Sequence, residues 1–200
     1  KEILDPTPFM KNNNLSDVYD ANVFLKREDL QMVRSYKIRG AFNKIRTLEP
    51  ELLQKGIVCA SAGNHAQGVA FSCNKLQIVG SIFMPTTTPK QKIEQVRMFG
   101  KEFIEIVLTG DTFDAANAAA IAYAQESGRT FIPPFDDPKV MEGQGTIGKE
   151  ILSQTPVKLD YVFVPIGGGG LASGLGAYFK QMCPETKIIG VEPGGAPCMK

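Results

Sequence analysis

Short apolar runs alternate with amphipathic segments through the middle of the chain. The runs that predict strands lie at residues 57–60, 79–84, 103–108 and 130–132. Between them, apolar residues recur every three or four positions, as they do on one face of a helix. Apolar strands that alternate with helices are typical of βαβα units with a parallel sheet.

Residues with special backbone preferences mark the ends of two of these helices. Thr88 is predicted to cap a helix that begins at Pro89, and Asp111 is predicted to open an alanine-rich helix that Gly128 closes. The segment 133–138 contains three prolines and cannot continue regular structure. We interpret it as a linker to a second βαβ unit.

Four consecutive glycines dominate this second unit. Gly167 to Gly170 follow a strand-like run at residues 161–165 and precede a helix predicted to start at Leu171. A backbone without Cβ atoms can close on an anion, and the free N–H groups of a helix start stabilise its charge. The sequence therefore predicts a loop that binds a phosphate.

Two kinds of phosphate compound are compatible with this loop. Gly167, Gly169 and Ala172 satisfy the glycine fingerprint of dinucleotide-binding folds, and Glu192 follows the next predicted strand, at residues 188–191. A nucleotide-binding Rossmann unit is thus one interpretation. This interpretation assigns no role to a lysine and to a second glycine-bearing loop. Both features favour pyridoxal 5'-phosphate instead.

Composition and charge narrow the class of partner. The chain has 200 residues, of which 43% are hydrophobic, and its 22 basic and 21 acidic side chains give a formal charge of +1. Neither nucleic acid nor an anionic membrane is favoured by such a balance, so a small molecule is expected. The four cysteines form no CxxC pair, which argues against a zinc site or a redox motif and for the reducing cytoplasm. A noncatalytic binding protein remains a third class.

The lysine to which the nucleotide-binding interpretation assigns no role is Lys37, which lies between Tyr36 and Ile38. A lysine held in a partly desolvated pocket loses preference for its ammonium form and becomes a nucleophilic amine. The second loop, residues 61–65, joins a predicted strand to a helix and offers N–H groups suited to a carboxylate or a ring hydroxyl. His65 is the only histidine, and we assign no catalytic role to it and no metal site to the chain.

Four motifs resemble those of the threonine dehydratases (threonine ammonia-lyases) of the biosynthetic type, a branch of the fold-type II pyridoxal-phosphate enzymes. The motifs are SYKIRGA at 35–41, SAGNHAQG at 61–68, EGQGT at 142–146 and GGGGL at 167–171. The resemblance implies a tryptophan synthase β-like α/β fold, with two open and mainly parallel sheets flanked by helices and the cofactor in the cleft between two domains. We expect a smaller domain at 54–132 and a larger one at 1–53 plus 133–200.

The resemblance also implies a role for each motif residue. Lys37 would bind pyridoxal 5'-phosphate covalently, with Tyr36 packed beside it where the family usually has phenylalanine. Asn64 would bond the 3-hydroxyl of the cofactor. The substrate carboxylate would face the loop of Ser61, Ala62, Gly63, Asn64 and His65. The phosphate would be held by Gly167, Gly168, Gly169, Gly170 and Leu171.

The implied reaction is the α,β-elimination that converts L-threonine to 2-oxobutanoate and ammonia, the first step of isoleucine biosynthesis, in a cytoplasmic homotetramer or dimer. Serine dehydratase and serine racemase carry similar motifs. Ala62 stands where racemases have a proton-exchanging serine, so elimination is favoured. The family's partner of the pyridine nitrogen and the isoleucine-sensing domain do not occur in these 200 residues, and we expect the chain to be truncated at its C-terminus.

Overall fold

The computed structural model describes residues 4–199. Residues 1–3 and 200, which the predicted larger domain includes, lie outside the described residues. The strands are β1 Phe9–Lys11, β2 Phe24–Lys26, β3 Ile57–Ala60, β4 Gly80–Met84, β5 Ile104–Leu108, β6 Thr130–Phe131, β7 Tyr161–Pro165 and β8 Lys187–Val191.

Eight α-helices lie between these strands in residues 4–199, and two of them, α2 and α3, are consecutive. They are α1 Asn13–Tyr19, α2 Lys37–Arg46, α3 Pro50–Lys55, α4 Asn64–Leu76, α5 Lys90–Gly100, α6 Phe113–Ser127, α7 Pro138–Gln154 and α8 Gly170–Met182. Single turns of 3-10 helix lie at Glu28–Leu30 and Lys101–Phe103. Within the described residues, no helix combines the length and the apolar character needed to cross a membrane.

The predicted parallel sheet is made by β3 to β6, in the order β5-β4-β3-β6. Every residue of β3 and β4 is buried, because helices cover both faces of the sheet. Ile57 and Cys59 face a core shared with α4 and α5, whereas Val58 and Ala60 face α6. This double cover explains why these strands are continuous apolar runs rather than alternating ones.

A second parallel pair, β7 and β8, is joined by α8. Val164 of β7 packs with Leu175 and Phe179 of α8 and with Ile147 of α7. The other face of the pair is exposed, and 68% of the Phe163 surface is accessible. The predicted α/β fold with parallel sheets flanked by helices is confirmed. The division into domains at residues 53/54 and 132/133 stays a prediction.

The predictions were wrong in local details. The strand β1 was not predicted, although it forms an antiparallel ribbon with β2. Thr88 does not cap α5, because the helix begins one residue after Pro89, and the Thr88 hydroxyl is buried without a partner among residues 4–199. The cap of α6 is Thr112 rather than Asp111, and its hydroxyl accepts from Ala115 N at 3.2 Å.

Helix α2 lies between α4 and α7, and glycines allow the three backbones to touch. A Cβ on Gly68 of α4 would lie 3.0 Å from the Cα of Ile38, and one on Gly143 of α7 would lie 2.5 Å from the carbonyl oxygen of Arg39. Real Cβ contacts are longer than this. The two contacts fix the first turn of α2, where Lys37 is the first residue.

A buried ion cluster holds the same turn. Arg39 donates two hydrogen bonds of 2.8 Å to Glu28 and bonds of 2.5 and 2.9 Å to Glu150. Lys26 donates to Glu150 at 2.5 Å. Burial opposes ionisation of Glu150, but hydrogen bonds from Arg39 and Lys26 outweigh it, so the pKa of Glu150 lies below its usual value. The cluster ties β2, α2 and α7 together.

Candidate active site

The amine of Lys37 lies in a partly desolvated, aromatic pocket. Its Nζ donates a hydrogen bond of 2.6 Å to the carbonyl oxygen of Pro134 and lies 5.7 Å from the ring centroids of both Tyr36 and Phe135. Burial lowers the pKa of Lys37, because desolvation disfavours the ammonium form. Tyr36 is half-buried, and burial raises the pKa of its hydroxyl. The amine is therefore held by its neighbours and easier to deprotonate than a surface lysine.

The glycine loop, residues 167–170, connects β7 to α8 and begins the helix. Different constraints act on its members. Gly169 has a φ of +79°, in the left-handed region, and Gly168 lies so close to the Phe135 ring that a Cβ would sit 2.4 Å from it. Around Gly167, in contrast, nothing lies within 4 Å of a built Cβ. Leu171 is buried in the core with Leu175, and Gly167 and Gly168 are the exposed members of the loop.

These constraints predict unequal costs for two neighbouring substitutions. Gly169→Ala is expected to lower the free energy of unfolding by about 1–2 kcal/mol, because a left-handed backbone brings Cβ against the carbonyl oxygen. Gly167→Ala should stay within about 0.5 kcal/mol of the native protein, since it meets open space. Chemical denaturation of the two variants measures both values. Equal losses would show that the left-handed conformation of Gly169 is not the constraint.

The loop of residues 61–65 connects β3 to α4. Gly63 N donates to the Ser61 hydroxyl at 3.2 Å, and Ser61 N donates to the carbonyl of Phe83 at 3.1 Å. This bonding anchors the loop at the end of the sheet. Ala62 and Gly63 are half-buried, and Asn64 is exposed at the first position of α4. The side-chain amide of Asn64 is thus accessible to a ligand.

His65 is buried directly behind this loop. Its Nε2 lies 2.9 Å from the carbonyl oxygen of Ile132, and its Nδ1 finds no partner among residues 4–199. Nε2 must carry a proton to bond a carbonyl, so Nδ1 is unprotonated in the neutral ring. Burial, reinforced by the charge of Lys37, lowers the pKa of His65 to about 4. In this geometry the neutral ring holds the loop against Ile132, and the absence of a catalytic role for His65 stays a prediction.

The shifted pKa predicts an acid-sensitive stability. An unfolded histidine has a pKa of 6.5 and the folded His65 one of about 4, so the unfolded state binds more protons between these values. The contribution of His65 to the free energy of unfolding is therefore fully present above pH 6.5. It is lost as the pH falls toward 4, and the loss amounts to about 3 kcal/mol.

The matched variant for this prediction is His65→Gln, whose Nε2 still donates but does not titrate. Its unfolding free energy, measured by denaturant at pH 7 and pH 5, should fall less between the two values than that of the native chain. Parallel pH profiles would contradict the prediction.

The linker supplies two contacts that the sequence did not reveal. Pro134 accepts the Lys37 hydrogen bond, and Phe135 packs on Gly168 while its ring faces the amine. An aromatic residue inside a proline-rich segment was the available signal for Phe135. No signal in the sequence indicated the Pro134 contact, because every residue type has a backbone carbonyl that can accept a hydrogen bond.

The predicted residues come together through this linker. Phe135 connects Lys37 to the glycine loop, and Ile132 connects the linker to His65 and so to the loop of residues 61–65. Glu192, the acidic residue of the nucleotide-binding interpretation, accepts a hydrogen bond of 2.7 Å from Met199 N. That interpretation gives no account of the Lys37 pocket.

The residues present fit pyridoxal phosphate. Lys37 supplies a partly desolvated amine for an aldehyde, and the first turn of α8 offers backbone N–H groups for a phosphate beside the open side of Gly167. A cavity of about 720 Å³ lies elsewhere, between β2 and β7, and borders these residues only at Tyr36 and Leu171. Its lining is mostly apolar, so the glycine loop and not this cavity is the candidate phosphate site.

Comparison with protein families gives one match over nearly the whole chain. The profile described as "Pyridoxal-phosphate dependent enzyme" matches residues 2–200. The chain is also 57% identical over 200 residues to a protein of Halalkalibacterium halodurans named L-threonine dehydratase biosynthetic IlvA. The match covers 100% of this chain and 48% of that protein. The chain thus spans about half the length of this curated relative.

Solved structures share the fold. The processed form of threonine deaminase isoform 2 from Solanum lycopersicum superposes with a TM-score of 0.94 at 49% identity, over 98% of this chain and 56% of that one. Maize serine racemase superposes with a TM-score of 0.91 at 33% identity, over 96% of this chain and 57% of that one. A dehydratase, a deaminase and a racemase are therefore all named among the similar proteins.

Proposed function

This chain belongs to the family of pyridoxal-phosphate dependent enzymes, and on that premise we propose that it carries the active site of an L-threonine dehydratase. The proposed reaction converts L-threonine to 2-oxobutanoate and ammonia. The observation that carries the proposal is the partly desolvated Lys37 amine beside Phe135, which packs on the glycine loop. The similarity to proteins named threonine dehydratase and threonine deaminase supports the choice of substrate.

Each site residue has a proposed task in holding the reactants. Lys37 would bind the cofactor covalently, and the N–H groups of Gly167, Gly168, Gly169, Gly170 and Leu171 would hold its phosphate. Asn64 would donate its side-chain amide to the 3-hydroxyl oxygen. The loop of Ser61, Ala62, Gly63, Asn64 and His65 would present N–H groups to the substrate carboxylate. Tyr36 would keep water away from one side of the lysine.

When bound, pyridoxal phosphate supplies an aldehyde for the substrate amine and a conjugated ring that accepts electrons from the α-carbon. Lys37 Nζ would be the group that takes the α-proton of the substrate. Its lowered pKa increases the neutral fraction that can accept a proton near neutral pH. Pro134 restrains Nζ through the hydrogen bond of 2.6 Å, so little conformational freedom of the amine remains to be lost.

Borohydride reduction tests the cofactor part of the proposal. We expect the protein incubated with pyridoxal phosphate and then reduced to carry the label on Lys37, as located by mass mapping of its peptides. The partial desolvation of Lys37 distinguishes it from exposed lysines such as Lys75. A label spread over surface lysines would overturn the proposal and would favour the nucleotide-binding interpretation.

Racemisation of serine is the second candidate, because a serine racemase superposes on the chain. Exchange of the α-proton on both faces requires a second proton carrier. Ala62 presents only a methyl group in the loop where racemases are expected to carry a serine. Chiral chromatography after incubation with L-serine is therefore expected to detect no D-serine, and its accumulation would favour the racemase assignment.

The proposal also covers the cellular location, the pathway and the oligomeric state of the enzyme. We place it in the cytoplasm, as a biosynthetic enzyme of isoleucine formation, and as a homotetramer or dimer acting on an amino acid. Light scattering coupled to size-exclusion chromatography measures the oligomeric state. A monomeric holoenzyme with full activity would contradict that part alone.

A further inference from the structure

Four consecutive residues between β6 and α7 touch all three parts of the candidate site. We call residues 132–135 the strap. The carbonyl of Ile132 bonds His65 at 2.9 Å, the carbonyl of Pro134 accepts from Lys37 Nζ at 2.6 Å, and Phe135 packs on Gly168. The sequence indicates only a linker in this part of the chain. Its contacts indicate a more specific role.

The strap is held firmly at both ends. Ile132 is fully buried, and its N–H donates to the carbonyl of Val58 at 2.8 Å. Beyond the other end, Asp137 caps α7 by accepting from Lys139 N and Val140 N, and it pairs with Lys44 at 2.7 Å. The two prolines between these anchors fix their own φ angles. Few conformations are therefore open to the carbonyl of Pro134 and to the backbone of Phe135.

The contact of Phe135 with the glycine loop is close enough to couple the two. A Cβ on Gly168 would lie 2.4 to 2.6 Å from ring atoms of Phe135, and one on Gly170 would lie 2.9 Å from the carbonyl oxygen of Phe135. The same ring lies 5.7 Å from Lys37 Nζ. A displacement of the ring would thus alter both the shape of the loop and the surroundings of the amine.

We propose that the strap positions the Lys37 amine relative to the glycine loop, with Phe135 as the positioning residue that joins them and His65 as its anchor. The inference rests on the proposed roles of Lys37 and of the glycine loop. It assigns no chemistry to Phe135, which acts through its two neighbours. It also explains why the only histidine is buried, since its Nε2 fixes the start of the strap.

The first test replaces Phe135 by alanine and measures the affinity for pyridoxal phosphate by equilibrium absorbance titration. We expect the affinity to fall about tenfold, which corresponds to about 1.4 kcal/mol, because the glycine loop loses the ring against which it packs. Phe113→Ala is the matched control, since Phe113 is 49% exposed and Phe135 38% exposed, but Phe113 begins α6 outside the site. Unchanged affinity in Phe135→Ala would overturn the proposal.

A double-mutant cycle tests the contact itself. Gly168→Ala should weaken cofactor binding in the native background, where the new Cβ meets the ring, and should have little further effect in the Phe135→Ala background. Gly176→Ala, which lies on α8 outside the loop and whose Cβ also meets open space, is the control in both backgrounds. Additive effects of Phe135→Ala and Gly168→Ala would show two independent sites and would contradict coupling through the strap.

The pH dependence of Lys37 acetylation gives a readout that requires neither cofactor nor activity. Acetic anhydride modifies the neutral amine, so the rate at Lys37, followed by peptide mass mapping, reports its pKa. Phe135→Ala and His65→Leu should raise this pKa toward the ordinary 10.5, because a displaced strap admits water. His65→Gln, which keeps the Nε2 donor, should not.

The outcomes separate the strap from the proposed function. If borohydride labels Lys37 in the native protein while the strap variants bind cofactor and react with anhydride as the native protein does, the strap inference fails alone. If the native protein is not labelled at Lys37, the proposed function fails. Weaker cofactor binding together with a raised Lys37 pKa in Phe135→Ala would support both.

Discussion

Replacing Lys37 by alanine is expected to abolish turnover of L-threonine, with a fall in kcat of about 10⁴-fold or more, the upper range for loss of a proton-transferring group. On the proposed mechanism, the variant loses both the covalent link to the cofactor and the amine that takes the α-proton. Noncovalent cofactor binding should persist, because the proposed phosphate contacts come from backbone N–H groups at the start of α8. Steady-state formation of 2-oxobutanoate by the holoenzyme measures the effect.

The control for this prediction is Lys75→Ala, which removes an exposed amine from α4 and should leave kcat unchanged. Addition of a small primary amine, such as methylamine, should partly restore activity to Lys37→Ala if the missing function is proton transfer. Undiminished turnover by Lys37→Ala would refute the assignment of the active site. Unfolding curves of the variant would establish that its fold is retained.

Replacing Arg39 by methionine is expected to lower the free energy of unfolding by about 3–5 kcal/mol, the usual cost of leaving a buried charge without its partner. The side chain of Arg39 is only 4% exposed, and it is the shared partner of Glu28 and Glu150. Burial disfavours its charge, but the hydrogen bonds that it donates to both carboxylates outweigh burial and raise the pKa of Arg39. Without it, Glu150 keeps Lys26 as an ion-pair partner.

Arg27→Met provides the matched comparison, because Arg27 pairs with Asp29 where their side chains are 34% and 59% exposed. It should change stability by less than about 1 kcal/mol, as solvent-exposed pairs contribute little. The penalty of Arg39→Met should also shrink as the pH falls below the ordinary glutamate value of 4.5, since a protonated Glu150 needs no cation. In the native protein the pKa of Glu150 is lowered, so its contribution is lost as the pH falls through that value. Denaturant unfolding at pH 7 measures the loss of unfolding free energy in both variants. Equal losses would show that burial adds nothing to the contribution of the ion cluster to stability.

Helices and strands could be predicted wherever the chain marks them locally. Strand β3 was predicted with its observed bounds, and Gly128 closes α6 as expected, because it adopts a left-handed φ of +67°. The caps at Thr88 and Asp111 were predicted wrongly, since neighbouring residues could also supply the start of each helix. Strand β1 has only three residues and is stabilised by its pairing with β2, a contact that is distant in the chain.

The candidate site divides in the same way. Lys37, Asn64 and the glycine loop were predicted from residue types and motifs, and their roles remain proposals. The ion cluster around Arg39 was not predicted, because Glu150 lies far along the chain and only the crossing of α2 and α7 brings the two side chains together. The part of Phe135 was missed for a similar reason, since its contact with Gly168 depends on how the linker folds back.

The amino-acid sequence alone determined the alternation of strands and helices, the glycine loop that we propose as the phosphate site and the resemblance that points to Lys37. These features depend on periodicity, on missing Cβ atoms and on residue order, which are local properties of the chain. Only the tertiary structure decided the surroundings of the amine: the carbonyl of Pro134, the ring of Phe135 and the buried His65 behind them. Desolvation and hydrogen bonding depend on which distant groups meet, and the lowered pKa of Lys37 is a consequence of that meeting.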